Sequence, residues 1–171
     1  NSSYQQVNLD SFETELVDIV TQNDALIGSG IWFESGYFTN GIEKIEANAT
    51  VSTAEQGMAD SEEESSEEET IYYVGPYAIR DNGKIQITYK YSTADNSYFK
   101  QKFYMMAKEV KSTILTEPMY DITARSFKVT AIVPMFTDNV FIGCVTVDVS
   151  LDNIKEFIGN AAIGDNGKAT L

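Results

Sequence analysis

Asp148 stands in the apolar run Val145-Thr146-Val147-Asp148-Val149, and a carboxylate there must be neutral or paired with a donor. A ligand ammonium is one such donor. The plainer reading is that Asp148 ends its strand and bonds backbone amides ahead of the next helix. Tyr104 offers a ring that can wall a pocket and a hydroxyl that can donate, while Asp121 can accept a second bond from a cation. Glu117, Asp121 and Asp148 could also supply an acid and base pair for hydrolysis, but only if their geometry converges. The residue inventory weighs against catalysis. There is no histidine, which removes the commonest general base, the commonest metal ligand and the usual partner of a Ser or Cys nucleophile. These residue types favour binding, with no catalytic residue, cofactor or metal implied.

The elements that must hold these residues can be read from periodicity. Two strongly apolar strands, 127–135 and 140–149, are joined by Thr137-Asp138-Asn139 as a short turn and belong at the centre of a sheet. Asp81-Asn82-Gly83 separates Tyr72, Val74 and Tyr77 from Ile85, Ile87, Tyr89 and Tyr91, a strong hairpin signal. Upstream, Leu26 to Phe33 reads as a strand whose glycines allow close backbone approach, with Ser35-Gly36 as a turn and Tyr37-Phe38 starting a returning strand. A helix opening near Asp10 and Glu13 carries Phe12, Leu16, Ile19 and Val20 on one face. A second, near Asn96, carries Phe99, Phe103, Met106 and Ala107 on one side, with Lys100, Lys102 and Lys108 elsewhere. A third follows the cap Ser150 with Leu151, Ile154, Phe157 and Ile158 as its stripe and Gly159 as its stop. The fold class is α+β with a dominant antiparallel sheet, in keeping with ten Tyr and nine Phe in 171 residues.

Charge narrows the partners. Twelve basic against twenty-six acidic residues leave a net charge of −14, a field that repels phosphate backbones and anionic lipid, so nucleic acid is excluded as a partner. Much of the charge lies in a polar insertion at about 46–70, which culminates in the run from Asp60 to Glu69 and reads as a mobile surface loop. Its spacing lacks the Asp/Asn alternation and Gly of a Ca²⁺ loop. Cys144, the one cysteine, sits in an apolar run as a small buried hydrophobe. No run approaches the eighteen apolar residues of a membrane span, and the N-terminus has no signal core.

The stretch from Tyr98 to Leu151 resembles the Cache sensor domains of chemoreceptors and sensor histidine kinases. The residues that carry the likeness are Phe103-Tyr104 with Ala107-Lys108, then Thr116-Glu117-Pro118-Met119-Tyr120-Asp121. They continue with Val129 to Pro134 and the run Ile142-Gly143-Cys144-Val145-Thr146-Val147-Asp148-Val149-Ser150-Leu151-Asp152. Their order and spacing agree with the family, and a weaker likeness extends over Leu26 to Phe38 and Tyr72 to Tyr77.

The resemblance implies a long N-terminal helix, a PAS-like central antiparallel sheet flanked by that helix and shorter ones, and a small-molecule pocket over one face of the sheet. It makes residues 1–160 the sensing module and 161–171 the start of a following strand or second module. It places the chain outside the cytoplasmic membrane, in a receptor anchored by flanking helices that this chain lacks, and allows a homodimer in the full receptor. The ligand residues it implies are Tyr77, Gln101, Phe103, Tyr104, Met119, Asp121 and Asp148. Gln101 stands where amino-acid receptors of this family place a carboxylate-binding Arg, Phe103 where a Trp is usual, and Met119 where a Tyr is usual. With the bidentate clamp missing, the implied ligands are amines, other small polar metabolites, or an amino acid turned so that Lys100 or Lys102 helps. For Phe103 and Met119, simple core packing is the plainer reading. The competing class is a non-enzymatic interaction or adhesion domain whose acidic loop meets a partner protein or Ca²⁺.

Overall fold

A computed structural model of the chain describes residues 8–38, 49–51, 69–122 and 124–152. Most of the acidic insertion, the stripe Ile154, Phe157 and Ile158, and the tail at 161–171 lie outside the described residues.

The first helix, α1 (Leu9–Gln22), starts at Asn8, whose side-chain oxygen accepts from the Ser11 amide and so satisfies one of the orphan donors of the first turn. Asp10 lies in the first turn, two residues past the cap. The buried stripe is Leu9, Leu16 and Val20, with Phe12 packed beside it, whereas Ile19 is 37% exposed. The cap lies two residues earlier than expected, so the helix includes Leu9 in its stripe, and Ile19 lies at the edge of that stripe.

Among the described residues nine strands follow in chain order: β1 (Leu26–Phe33), β2 (Ala49–Val51), β3 (Glu69–Ile71), β4 (Tyr77–Asp81), β5 (Lys84–Thr88), β6 (Ile114–Leu115), β7 (Met119–Asp121), β8 (Ser126–Thr137) and β9 (Val140–Ser150). Seven form one antiparallel sheet in the order β5-β4-β1-β9-β8-β6, with β7 also on β8. β9 is central, between β1 and β8, whereas β8, expected at the centre with it, lies one place further out and is flanked on its other side only by the short β6 and β7. The two ends of the segment read as a loop are instead paired, β2 with β3, in a separate ladder; β-branched Thr50, Val51, Thr70 and Ile71 suit extended backbone. Tyr37 lies in a turn, and the Phe38 ring folds back on Phe33 and Phe12, with centroids 4.8 and 5.3 Å away.

Both tight hairpins turn as their sequences demand. Asn82 and Gly83 (φ 48° and 78°) link β4 to β5, and Asp138 and Asn139 (φ 49° and 67°) link β8 to β9, the left-handed pairs that match strand twist. The helix expected near Asn96 is broken in two: a 3₁₀ turn (Tyr98–Lys100) and then α2 (Lys102–Glu109), with Gln101 extended between them.

Alternation along β1 and β4 divides the interior into two layers. Ile31, Phe33 and Ala78 face α1 and pack with Leu9, Leu16, Val20 and Val74. Trp32, Tyr77 and Ile79 face the other way, toward Tyr98, Tyr104, Ala107, Ile132, Phe141 and Cys144. Arg80 fastens α1 to the sheet by donating to the Val20 and Leu26 carbonyls, a basic group where the helix ends in free carbonyls.

Candidate functional site

The face opposite α1 is only partly filled, and the sequence of β1 explains why. Gly28, Gly30 and Trp32 alternate onto that face. A Cβ at Gly28 would lie 2.0 Å from the Tyr77 hydroxyl, and one at Gly30 would lie 2.6 Å from the Trp32 indole. With no side chains there, the two rings lie low on the sheet, 5.8 Å apart and stacked at 29°. The Trp32 indole N–H donates to Thr146 Oγ1 at 2.9 Å, which fixes its direction. Above these rings is a cavity of about 650 Å³, between the sheet, α2 and the segment 115–122. Phe103 and Met106 of α2 close one wall, and Met119 with Tyr120 the other.

Its floor is ionic. Asp148 is 4% exposed and sits directly across from Thr130 in the β8–β9 ladder. Oδ2 accepts from the Tyr77 hydroxyl at 2.5 Å and from Lys128 Nζ at 2.7 Å, and Oδ1 accepts from the Thr130 hydroxyl. Lys128 also lies 2.8 Å from Asp121 Oδ2, and Asp121 Oδ1 accepts from the Ala124 amide. One ammonium thus bridges both carboxylates.

Burial is the largest influence on Lys128 and acts to lower its pKa. Asp148 and Asp121 together outweigh it and hold the pKa above the ordinary lysine value. Tyr77 is pushed well above the usual phenol range, first by burial and then by the Asp148 carboxylate. Lys128 is therefore a cation and Tyr77 a neutral donor at neutral pH.

Of the residues implied by the sequence, Tyr77, Gln101, Phe103, Met119, Asp121 and Asp148 all line this cavity. Tyr104 does not. Phe103 and Met106, three apart on α2, face the hollow, so Tyr104 and Ala107 turn into the core. The Tyr104 ring packs on Tyr98, Phe99 and Phe141 at 5.0, 5.3 and 5.4 Å, and its buried hydroxyl makes no well-formed hydrogen bond among the described residues, the Glu34 carboxylate being the acceptor close enough to act on it. Asp148 is also not a strand-ending cap: it is inside the ladder, and its ammonium comes from Lys128 of the chain itself. Phe103, read most simply as core, packs on Trp32 at 5.2 Å with the rings tilted by 53°, and it also lines the cavity. Cys144 is fully buried, and burial pushes its thiol up to about 12, which leaves it inert. No group of His, Cys, Asp and Glu suited to a metal ion occurs among the described residues.

A helix on one face of an antiparallel sheet and a ligand-sized hollow on the other define a PAS-like sensor fold. The chain belongs to the family of methyl-accepting chemotaxis protein-like first PDC sensor domains, whose sequence model matches residues 12–156. This is a family of sensory ligand-binding domains, and the Cache-type likeness read from the sequence holds. Among solved structures, the extracellular domain of the putative histidine kinase mmHK1S-Z3 is similar at 21% identity and a TM-score of 0.66, over 95% of this chain and 51% of that one. A methyl-accepting chemotaxis protein X is similar at 18% identity and 0.58, over 90% and 50%. The ligand-binding domain of the Campylobacter jejuni chemoreceptor Tlp3 in complex with L-valine follows at 9% and 0.52, over 90% and 45%. The chain spans about half the length of these structures. No curated protein matches it. No helix among the described residues is long and apolar enough to cross a membrane.

Proposed function

We propose that this domain is the extracytoplasmic sensing part of a membrane-anchored receptor and that it binds a small polar organic molecule in the hollow above Trp32 and Tyr77. The observation that carries the reading is the cavity: about 650 Å³, aromatic-walled, with a few convergent polar groups at its floor, the usual character of a small-molecule site. The relatives with this fold are sensor domains of chemoreceptors and histidine kinases, and one was solved with L-valine. Amino acids and amines are accordingly the first classes to test.

Binding changes the receptor only if the ligand prefers one arrangement of the module over another. The route open to such a preference runs through the sheet, because α1 packs on the face away from the cavity. Trp32 is the only tryptophan of the chain, so its fluorescence reports on occupancy without any label. Thermal-shift and fluorescence titration against amino acids, amines, carboxylates and neutral polar metabolites tests the proposal. A folded protein whose Trp32 emission and melting temperature respond to none of them would refute it.

A further inference from the structure

The floor of the cavity specifies what kind of head group it accepts. Every carboxylate oxygen there already has a donor: Lys128 and the Tyr77 hydroxyl on Asp148 Oδ2, Thr130 on Asp148 Oδ1, Lys128 on Asp121 Oδ2, and the Ala124 amide on Asp121 Oδ1. An incoming ammonium would have to expel Lys128, which is tethered in place and retains only 13% side-chain exposure. An incoming carboxylate fares no better. Two acids against one ammonium leave the buried floor with one net negative charge, in a setting where water screens poorly; Lys102 and Glu117 also line the cavity, but both are exposed and their charges offset one another.

Among the groups at the floor, those still uncommitted are of the opposite kind. Lys128 has three N–H donors and uses two. Thr146 Oγ1 accepts from Trp32 but its own proton has no acceptor among the described residues, and Tyr91 also lines the cavity, its hydroxyl without a hydrogen bond among those residues. These are donors awaiting an acceptor. Around them the walls are ring and thioether: Trp32, Tyr77, Phe103, Met106 and Met119.

We propose that Lys128 is the resident cation of this cavity, and that the ligand is an uncharged molecule with a flat apolar body that presents a carbonyl or amide oxygen to Lys128 and Thr146. The inference rests on the hollow being the ligand site and adds the class of molecule. It also assigns Lys128 a role in specificity, since a resident ammonium excludes a competing one by leaving it unpaired or displaced.

The test uses three probes with one body and different heads: phenylacetamide, phenylacetate and 2-phenylethylammonium, titrated at neutral pH with Trp32 fluorescence and calorimetry as readouts. The amide should bind at least about tenfold more tightly than either charged probe, the discrimination typical of a buried, mismatched polar group. Lys128→Met should reverse the order in favour of 2-phenylethylammonium, because the two carboxylates then lack their cation. If that variant does not fold, the ranking in the unmodified protein decides alone. A charged probe that matches or outranks the amide overturns the ligand class while leaving the cavity as the sensing site. Silence toward all three probes, with a response to an amino acid or amine, has the same meaning. Silence toward every class overturns both readings.

Discussion

Lys128 Nζ reaches Asp148 Oδ2 at 2.7 Å by a diagonal step across the β8–β9 ladder, in which Thr130, not Lys128, is the residue directly opposite Asp148. Diagonal neighbours on one sheet face are within range of a long side chain. The contact joins the two longest strands and sets the charge at the bottom of the cavity.

Removal of the Asp148 carboxylate should therefore cost more than removal of Asp121. Asp148→Ala strands the Tyr77 and Thr130 hydroxyls and half of the Lys128 bridge, a loss of about 3 kcal/mol, the low end for a broken buried pair because Asp121 still holds the ammonium. Asp121→Ala leaves Asp148 and its donors in place and should cost less. Urea denaturation of the two variants, with equal slopes, checks the order.

Stability should fall in alkali, beginning near pH 10. Tyr77 and Lys128 both have raised pKa values in the folded state, so the folded chain keeps protons that the unfolded chain loses. Their contribution is intact below the unfolded values of 10.0 and 10.5 and is lost as pH climbs toward the folded ones. Tyr77→Phe should make the decline between pH 10 and 11 shallower, as read from melting temperatures at fixed ionic strength.

Gly28→Ala should destabilise the fold by about 1–3 kcal/mol, the usual cost of an overpacked core, because the new methyl group meets the buried Tyr77 ring and hydroxyl. The cost should shrink in a Tyr77→Phe background, where the atom nearest the methyl is gone. A double-mutant cycle measures that coupling.

Tyr104→Phe should leave ligand binding unchanged and hold or raise stability, by up to about 1–2 kcal/mol, since it deletes a buried hydroxyl with no well-formed hydrogen bond among the described residues. Weakened binding with unchanged stability would instead return Tyr104 to the ligand site.

Much of the architecture was legible because local signals agreed with one another. Asn82-Gly83 and Asp138-Asn139 announced their hairpins, and the later of the two apolar stretches around the second became the middle of the sheet. The α1 stripe was legible except at its ends, where the cap at Asn8 adds Leu9 and Ile19 lies at the edge. Gln101 was harder to read: it looked like the interior of a helix, and the extended backbone that separates the 3₁₀ turn from α2 leaves no mark in the apolar spacing. That break sets the rotation of α2, and so exchanges the roles of Phe103 and Tyr104.

Lys128 was missed for a related reason. Pairs counted back from the Asp138-Asn139 turn keep the register of Phe136 with Phe141, which sets Asp148 against Val129. A bulge between Met135 and Phe136 shifts the register by one, so that Thr130 faces Asp148 and Lys128 lies on the same side. A one-residue slip exchanges the two faces of a strand. No composition signal reports it, although a lysine two residues before a threonine in an otherwise apolar strand is a cue to look for a buried acid nearby.

Trp32 and its neighbours Ile31 and Phe33 belong to consecutive positions of a single strand, with the hollow on one side and α1 on the other. Only one layer of peptide separates the two compartments, so the sheet works as a diaphragm. Whatever lifts or presses the indole tugs on the same backbone that seats the helix, and the two compartments need no separate linkage.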